Sequence, residues 1–187
     1  MSGIRKQAFM HYHEQPYKDL IEKTYEVAPK VDIAQSSEND PHNQRKSDVS
    51  WILPGDDTNQ LFEFLSGIAH AANDQANWHF DTPILEPLQF TEYKVGQKYD
   101  WHVDQLMGEL EETIRKISFT VLLNDEFEGG ELQIEAGSPA NAERHHTIDM
   151  KKGDICFFPS HLWHRVTPVT KGVRHSLVGW FRGPQWR

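Results

Sequence analysis

Residues Tyr93 to Asp104 read YKVGQKYDWHVD. The stretch begins at the end of a β-prone run, Leu88–Val95, turns through Val95-Gly96-Gln97, and enters a second β-prone run, Tyr99–Asp104. Residues i and i+2 of a strand project from the same face, so His102 and Asp104 would present an imidazole and a carboxylate side by side. Segments of the same kind continue toward the C-terminus: Ile117–Asn124, Glu131–Glu135, Asp154–Pro159, His164–Val169 and Arg174–Phe181. Turn sequences such as Glu128-Gly129-Gly130, Lys151-Lys152-Gly153-Asp154 and Thr170-Lys171-Gly172 separate them. Many short strands with regular turns read as a sandwich or barrel.

Toward the N-terminus the pattern changes. Tyr17–Ala28 carries Leu20, Ile21, Thr24 and Ala28 at helical spacing. From Asp57 to about Asp74, Leu61, Phe62, Leu65, Ile68, Ala69 and Ala72 form one apolar stripe, with Asp56, Asp57 and Thr58 as N-cap candidates. Between the two, Pro29–Asp48 is polar and reads as a surface loop, or as a flap over a site. The expectation is one domain over residues 1–187: helical support and the polar loop over 1–82, and a core over 83–187. The fold class is mainly β with flanking α-helices, a double-stranded β-helix (jelly roll) buttressed by the N-terminal helices.

Composition narrows the function classes. The 187 residues are 37% hydrophobic and 25% charged, enough for a buried core and against disorder. The net charge of −9 argues against nucleic acid and anionic membrane as partners, because phosphate contacts need clustered Lys and Arg. The single cysteine, Cys156, excludes an internal disulfide and a Cys-rich zinc site. No run approaches the ~18 apolar residues of a membrane span, and MSGIRKQAFMHYHEQ lacks a signal-peptide core. A cytoplasmic setting is expected. Eleven histidines and six tryptophans are the unusual counts, and they point to metal ligands and large aromatic walls.

Two ligands do not complete a metal site. His164, in Ser160-His161-Leu162-Trp163-His164-Arg165-Val166, follows the strand Asp154–Pro159 and is the best third ligand. Two histidines and one carboxylate on a β scaffold make a facial triad with open positions, the arrangement of non-haem iron(II) oxygenases. His145 and His146 sit in a polar segment and read as solvated loop residues. His11, His13, His42, His70, His79 and His175 have no partner at ligand spacing and read as structural or surface residues. Arg174 opens the last strand, ten residues after His164. Its planar fork grips carboxylates, and a buried arginine facing a metal implies an anionic ligand, with a structural salt bridge as the alternative. Trp101, Phe157, Phe158, Trp163 and Trp180 are candidates for the pocket wall, with plain core packing as the alternative for each.

These residues carry a resemblance. His102-x-Asp104, His164 and Arg174 resemble the signature of 2-oxoglutarate/iron(II)-dependent dioxygenases, specifically the prolyl 4-hydroxylase-like and PKHD-type hydroxylase branch. Tyr93-x-x-Gly96-x-x-Tyr99-x-x-His102-x-Asp104 is similar to that branch's run into its first ligands. Phe119–Leu132 with Gly129-Gly130-Glu131, Gly153-Asp154 through Phe158-Pro159-Ser160, and His164–Val169 with Gly172-Val173-Arg174 are similar to its later motifs. The likeness covers about Leu88 to Trp180.

The resemblance implies roles. His102, Asp104 and His164 would ligate Fe(II). Arg174 would bind the distal carboxylate of 2-oxoglutarate, with Tyr93 donating a second hydrogen bond. Tyr99 and Trp180 would line the substrate pocket, Trp180 sharing its strand parity with Arg174. The implied reaction uses O2 and 2-oxoglutarate, with ascorbate as an accessory, to hydroxylate an unactivated C–H bond and release succinate and CO2. The target would be a peptide or protein residue such as proline. Many true prolyl 4-hydroxylases carry lysine where this chain has Arg174, which weakens any inference of collagen-type substrates. Two alternatives stand beside this: the same chemistry on a free amino acid or other small molecule, and a non-redox cupin-like metal-binding module. The latter favours His-x-His with an added Glu, against the His-x-Asp found here.

Overall fold

The computed structural model describes residues 7–13, 18–28, 44–105, 112–137, 140 and 142–185. In chain order the elements are β1 (Met10–Tyr12), α1 (Lys18–Val27), β2 (Arg45–Lys46), β3 (Asp48–Ile52), α2 (Asn59–Gln75), β4 (Ile84–Leu85) and β5 (Leu88–Tyr93). There follow β6 (Lys98–His102), β7 (Thr113–Leu122), β8 (Phe127–Gly129), β9 (Leu132–Glu135) and β10 (His145–Ile148). The last are β11 (Ile155–Pro159), β12 (His164–Val166), β13 (Val169–Gly172) and β14 (Arg174–Pro184).

A seven-stranded sheet runs β1-β11-β7-β14-β5-β3, with β4 paired to β14. A five-stranded sheet runs β10-β9-β12-β6-β2, and β13 pairs with β8. Among the described residues every strand pair is antiparallel. Strand β11 shows how side-chain alternation builds the layers. Ile155 and Phe157 join one apolar cluster with α2, whereas Cys156 and Phe158 join a second with Leu132, Ile134 and Ile148 of the smaller sheet. The two sheets therefore meet face to face, and the helices cover the outer face of the larger one. Together they make a jelly roll, mainly β, as the sequence pattern predicts.

Helix α2 buries Leu61, Leu65, Ala69 and Ala72 of the expected stripe against Ile117, Phe119, Val121, Leu177 and Phe181, while Phe62 and Ile68 are partly buried at its margin. Each buried leucine contributes roughly 1.5–3 kcal/mol. Thr58 takes the N-cap position, but its hydroxyl donates to the Leu53 and Gly55 carbonyls, so it fastens the preceding turn rather than capping the helix.

The N-terminal part supplies more than helices: β1, β2 and β3 all join the two main sheets. Residues 29–43 of the polar stretch, where a flap was an expectation, lie outside the described residues, and Arg45–Lys46 pairs with β6. His145 and His146 form part of edge strand β10 rather than a loop. Among the described residues no helix is long and apolar enough to cross a membrane.

Candidate metal centre

His102 ends β6, and His164 begins β12, its neighbour; the two are paired in register. Side chains at paired positions share a face, so both imidazoles project from the smaller sheet. Their ring centroids are 4.1 Å apart. Asp104 lies two residues past the end of β6, so strand parity does not place it, contrary to the reading of Tyr99–Asp104 as one strand. The chain leaves the ladder after His102 and is held by the Ser160 carbonyl, which accepts from the amides of Asp104 and Gln105, each at 3.0 Å. This puts Asp104 Oδ1 3.6 Å from His102 Nε2 and Oδ2 3.3 Å from His164 Nε2. One ligand-type atom from each of the three residues lies within 4.8 Å of the others.

Both histidines are oriented by backbone. His102 Nδ1 donates to the Asp100 carbonyl at 2.7 Å, and His164 Nδ1 donates to the Leu162 carbonyl at 3.0 Å. With Nδ1 committed as donor, Nε2 faces the carboxylate, the disposition that second-sphere contacts give metal-ligating histidines. Tyr99 lies flat on the His102 ring, centroids 3.5 Å apart and planes 11° apart. Burial, reinforced by His164, pulls the His102 pKa down to about 4. Burial alone would raise Asp104, but His164, His102 and the Ser118 hydroxyl outweigh it and hold its carboxyl below the usual range. Burial alone would lower His164, but its contact with Asp104 raises it. The cluster thus keeps an ionised carboxylate in the interior, stabilised by groups that converge on it.

Arg174 begins β14, directly opposite Tyr93 of β5 in the larger sheet. It is 2% exposed, and its Nη1 donates to Ser176 Oγ at 2.9 Å. Among the described residues its Nε has no hydrogen-bond partner, and no carboxylate forms an ion pair with it. Burial, opposed by Tyr93, lowers its pKa from the ordinary value. An interior guanidinium left this way is costly, so the cavity is built for an anion.

A cavity of about 260 Å³ joins these groups. It is lined by His102, Asp104 and His164 from one side, and by Arg174, Ser176, Val178 and Trp180 from alternate positions of β14. Tyr93 and Tyr99 line it too. The volume is close to the lower end of the ~300–1,000 Å³ common for small-molecule sites. All seven sequence-predicted site residues therefore face one space. Trp180 is pinned by the Arg115 guanidinium, 3.9 Å from its ring centroid, and that arginine is itself held by Glu86 at 2.7 and 2.9 Å.

Of the other predicted wall aromatics, Phe158 lines the cavity. Phe157 faces the helix-side core, because it has the opposite parity on β11. Trp101 and Trp163 flank a separate groove with Glu135, Arg144 and His145. Sequence reasoning assigned no role to Ser118, which hydrogen-bonds Asp104, or to Arg45 and Arg115, which line the cavity; the inward alternation of Ser118 and Thr120 along β7 was a usable signal for the first. It also missed that His11 and His13 meet Asp154, although their i,i+2 spacing was visible.

Residues 88–182, just over half of the chain, match the 2OG-Fe(II) oxygenase superfamily. A PKHD-type hydroxylase of Idiomarina loihiensis is 42% identical over 104 residues, which are 52% of this chain and 44% of that protein. The chain thus matches less than half the length of that relative. A prolyl-4-hydroxylase of Pseudomonas putida superposes with a TM-score of 0.68 at 22% identity, covering 95% of this chain and 94% of that one. A prolyl hydroxylase of Trichoplax adhaerens, solved with a peptide fragment of hypoxia-inducible factor, superposes with a TM-score of 0.66 at 16% identity, covering 93% and 83%. These two likenesses establish a shared fold. With the matched segment enclosing the His-x-Asp, the distant histidine and the buried arginine that line one cavity, the chain belongs to the 2OG-Fe(II) oxygenase superfamily.

Proposed function

We propose that this chain is a 2-oxoglutarate- and iron(II)-dependent hydroxylase that acts on an unactivated C–H bond of a peptidyl residue, proline foremost, and releases succinate and CO2. The carrying observation is the pairing, in one cavity, of a two-histidine, one-carboxylate cluster with a buried guanidinium whose Nε is unpartnered among the described residues. A small oxo-dicarboxylate meets both needs: it chelates a metal at one end and offers a carboxylate to arginine at the other.

The residues fit the group on chemical grounds. His102, Asp104 and His164 supply the imidazole and carboxylate donors suited to iron(II), and leave positions free for other ligands. When bound, iron(II) with 2-oxoglutarate and O2 would supply the oxidative chemistry that turns the oxo acid into succinate and CO2 and delivers an oxygen atom to carbon. The protein's own part is positional. Arg174 and Tyr93 would hold the distal carboxylate at the floor of the larger sheet. Tyr99 would keep the His102 ring in place while bordering the substrate. Ser118 and Ser160 would fix Asp104. Trp180, braced by Arg115, would form an apolar wall that excludes water from the reacting carbon. The reading of a peptide target draws on the relatives named above, and a chain acting as one domain is part of it.

The test is incubation with Fe(II), 2-oxoglutarate and ascorbate against peptides bearing proline, lysine or asparagine, with succinate and peptide mass read together. One added oxygen on the proline peptide, matched by succinate, is the expected result. Succinate without a peptide shift would move the target to a small molecule. Neither product from iron-loaded protein would contradict the reading.

A further inference from the structure

A second group of imidazoles and a carboxylate lies at the far end of β11 from the cavity. Asp154 immediately precedes β11, whereas Ser160, which anchors Asp104, immediately follows it. At ~3.3 Å per residue the strand separates the two places by roughly 20 Å. His11 is on edge strand β1, paired with Cys156 of β11, and His13 lies just past the end of β1. His11 Nε2 and His13 Nδ1 are each 3.0 Å from the same oxygen, Asp154 Oδ2. The Lys151 amide donates to that oxygen at 2.8 Å.

The geometry suits a metal ion. Bonds of about 2.0–2.2 Å to nitrogen and oxygen place neighbouring ligand atoms about 3.3–3.6 Å apart in a tetrahedral site and about 2.8–3.1 Å apart at right angles, so the 3.0 Å contacts lie within a few tenths of an ångström of ligand spacing. The two rings are adjacent, with centroids 4.1 Å apart. Exposure is graded: the Asp154 side chain is 2% exposed, His11 13% and His13 61%. The carboxylate is sequestered, while the outer imidazole leaves an entry path and room for water ligands. Two imidazoles with one carboxylate favour zinc, nickel, copper or cobalt over calcium or magnesium. The chain's net charge of −9 raises the local concentration of cations.

We propose that His11, His13 and Asp154 form a second divalent-metal site, of the zinc class, that clamps β1 onto β11. Strand β1 has three residues and lies at the edge of the larger sheet, so its own ladder is short. A shared ion would tie it to the sheet across 143 residues of sequence. The site stands independently of the oxygenase reading.

The test counts ions. Tag-free chain is loaded with Zn²⁺, desalted and weighed by native mass spectrometry, alongside His13→Ala, His102→Ala and the double variant. The expected counts are two, one, one and none. Zn²⁺ should also raise the melting temperature of His102→Ala but not that of the double variant. His102→Ala with no ion overturns the second site, and so does His13→Ala holding as many ions as the unaltered chain. The His102→Ala count decides the matter however His13→Ala folds. A single ion kept by His102→Ala and lost by His13→Ala would support the second site and count against the triad instead.

Discussion

Ser118 donates its hydroxyl to Asp104 Oδ2 at 2.7 Å, from a strand buried along nearly its whole length. The serine is fully buried and also contacts Ser160 Oγ at 2.9 Å. A hydrogen bond to a charged acceptor contributes about 1.5–3 kcal/mol, and outer-sphere partners of metal ligands are typically worth about 10–100-fold in affinity. Ser118→Ala should therefore weaken Co²⁺ or Mn²⁺ binding by that factor, measured by titration, while the fold persists. Unchanged affinity would mean that His164 and the Ser160 carbonyl hold Asp104 unaided.

Gly130 sits at φ 62°, and a Cβ there would lie 2.8 Å from Arg174 Cδ and 3.0 Å from Val169 Cγ2. The absent side chain makes room for the guanidinium stem. Gly130→Ala should cost about 1–2 kcal/mol from the left-handed backbone and the clash, and raise the 2-oxoglutarate concentration for half-maximal turnover. Gly96 has φ 82° with nothing within 4 Å, so Gly96→Ala should lower the melting temperature and leave the cosubstrate requirement alone. Equal effects at both positions would remove the special role of Gly130.

Arg174 is a buried charge without a carboxylate partner in the described chain. Removing it should relieve the free protein, since burying an unpaired ion is unfavourable. Arg174→Met is expected to melt at or above the temperature of the unaltered chain when both lack cosubstrate. The same change should abolish the added stability that 2-oxoglutarate confers, and cost roughly 30-fold or more in its affinity, from the ~2–5 kcal/mol of a truncated buried pair. Metal affinity should change far less. Retained stabilisation by 2-oxoglutarate would sink the anchoring role.

The legible and illegible parts of the site differ physically. Arg174 and Trp180 share one face of β14, so period-two alternation was enough to place both at one cavity. His102 and His164 lie on strands whose runs were visible, and their pairing follows from the sheet order. Asp104 was found by its spacing, but for a reason that did not hold: a tertiary contact to Ser160 positions it, not a strand. Asp154 meets His11 and His13 from the other end of the chain, and no local period encodes such a meeting. Strand β3, DVSWI, was hidden beside a polar stretch; it pairs with β5, Ile52 joins the main core, and every residue but Trp51 is buried.

Burial drives the Tyr99 phenol up to about 12 from 10.0. The folded chain therefore keeps a proton that the unfolded chain loses above about pH 10. Its stabilising contribution is intact below pH 10 and is lost as pH rises toward 12, at most ~2–3 kcal/mol. Urea midpoints should fall through that window, and Tyr99→Phe should flatten the fall. An identical slope in the variant would show that other groups carry it.

The iron and 2-oxoglutarate assignment is tested most directly by succinate release from 2-oxoglutarate by the Fe(II)-loaded chain under air, set against His164→Ala and Arg174→Met loaded the same way. Succinate is expected from the unaltered chain and none above background from His164→Ala. Arg174→Met should recover only when 2-oxoglutarate is raised far above the level that saturates the unaltered chain. Equal succinate from all three proteins, or none from an iron-loaded unaltered chain, would contradict that assignment.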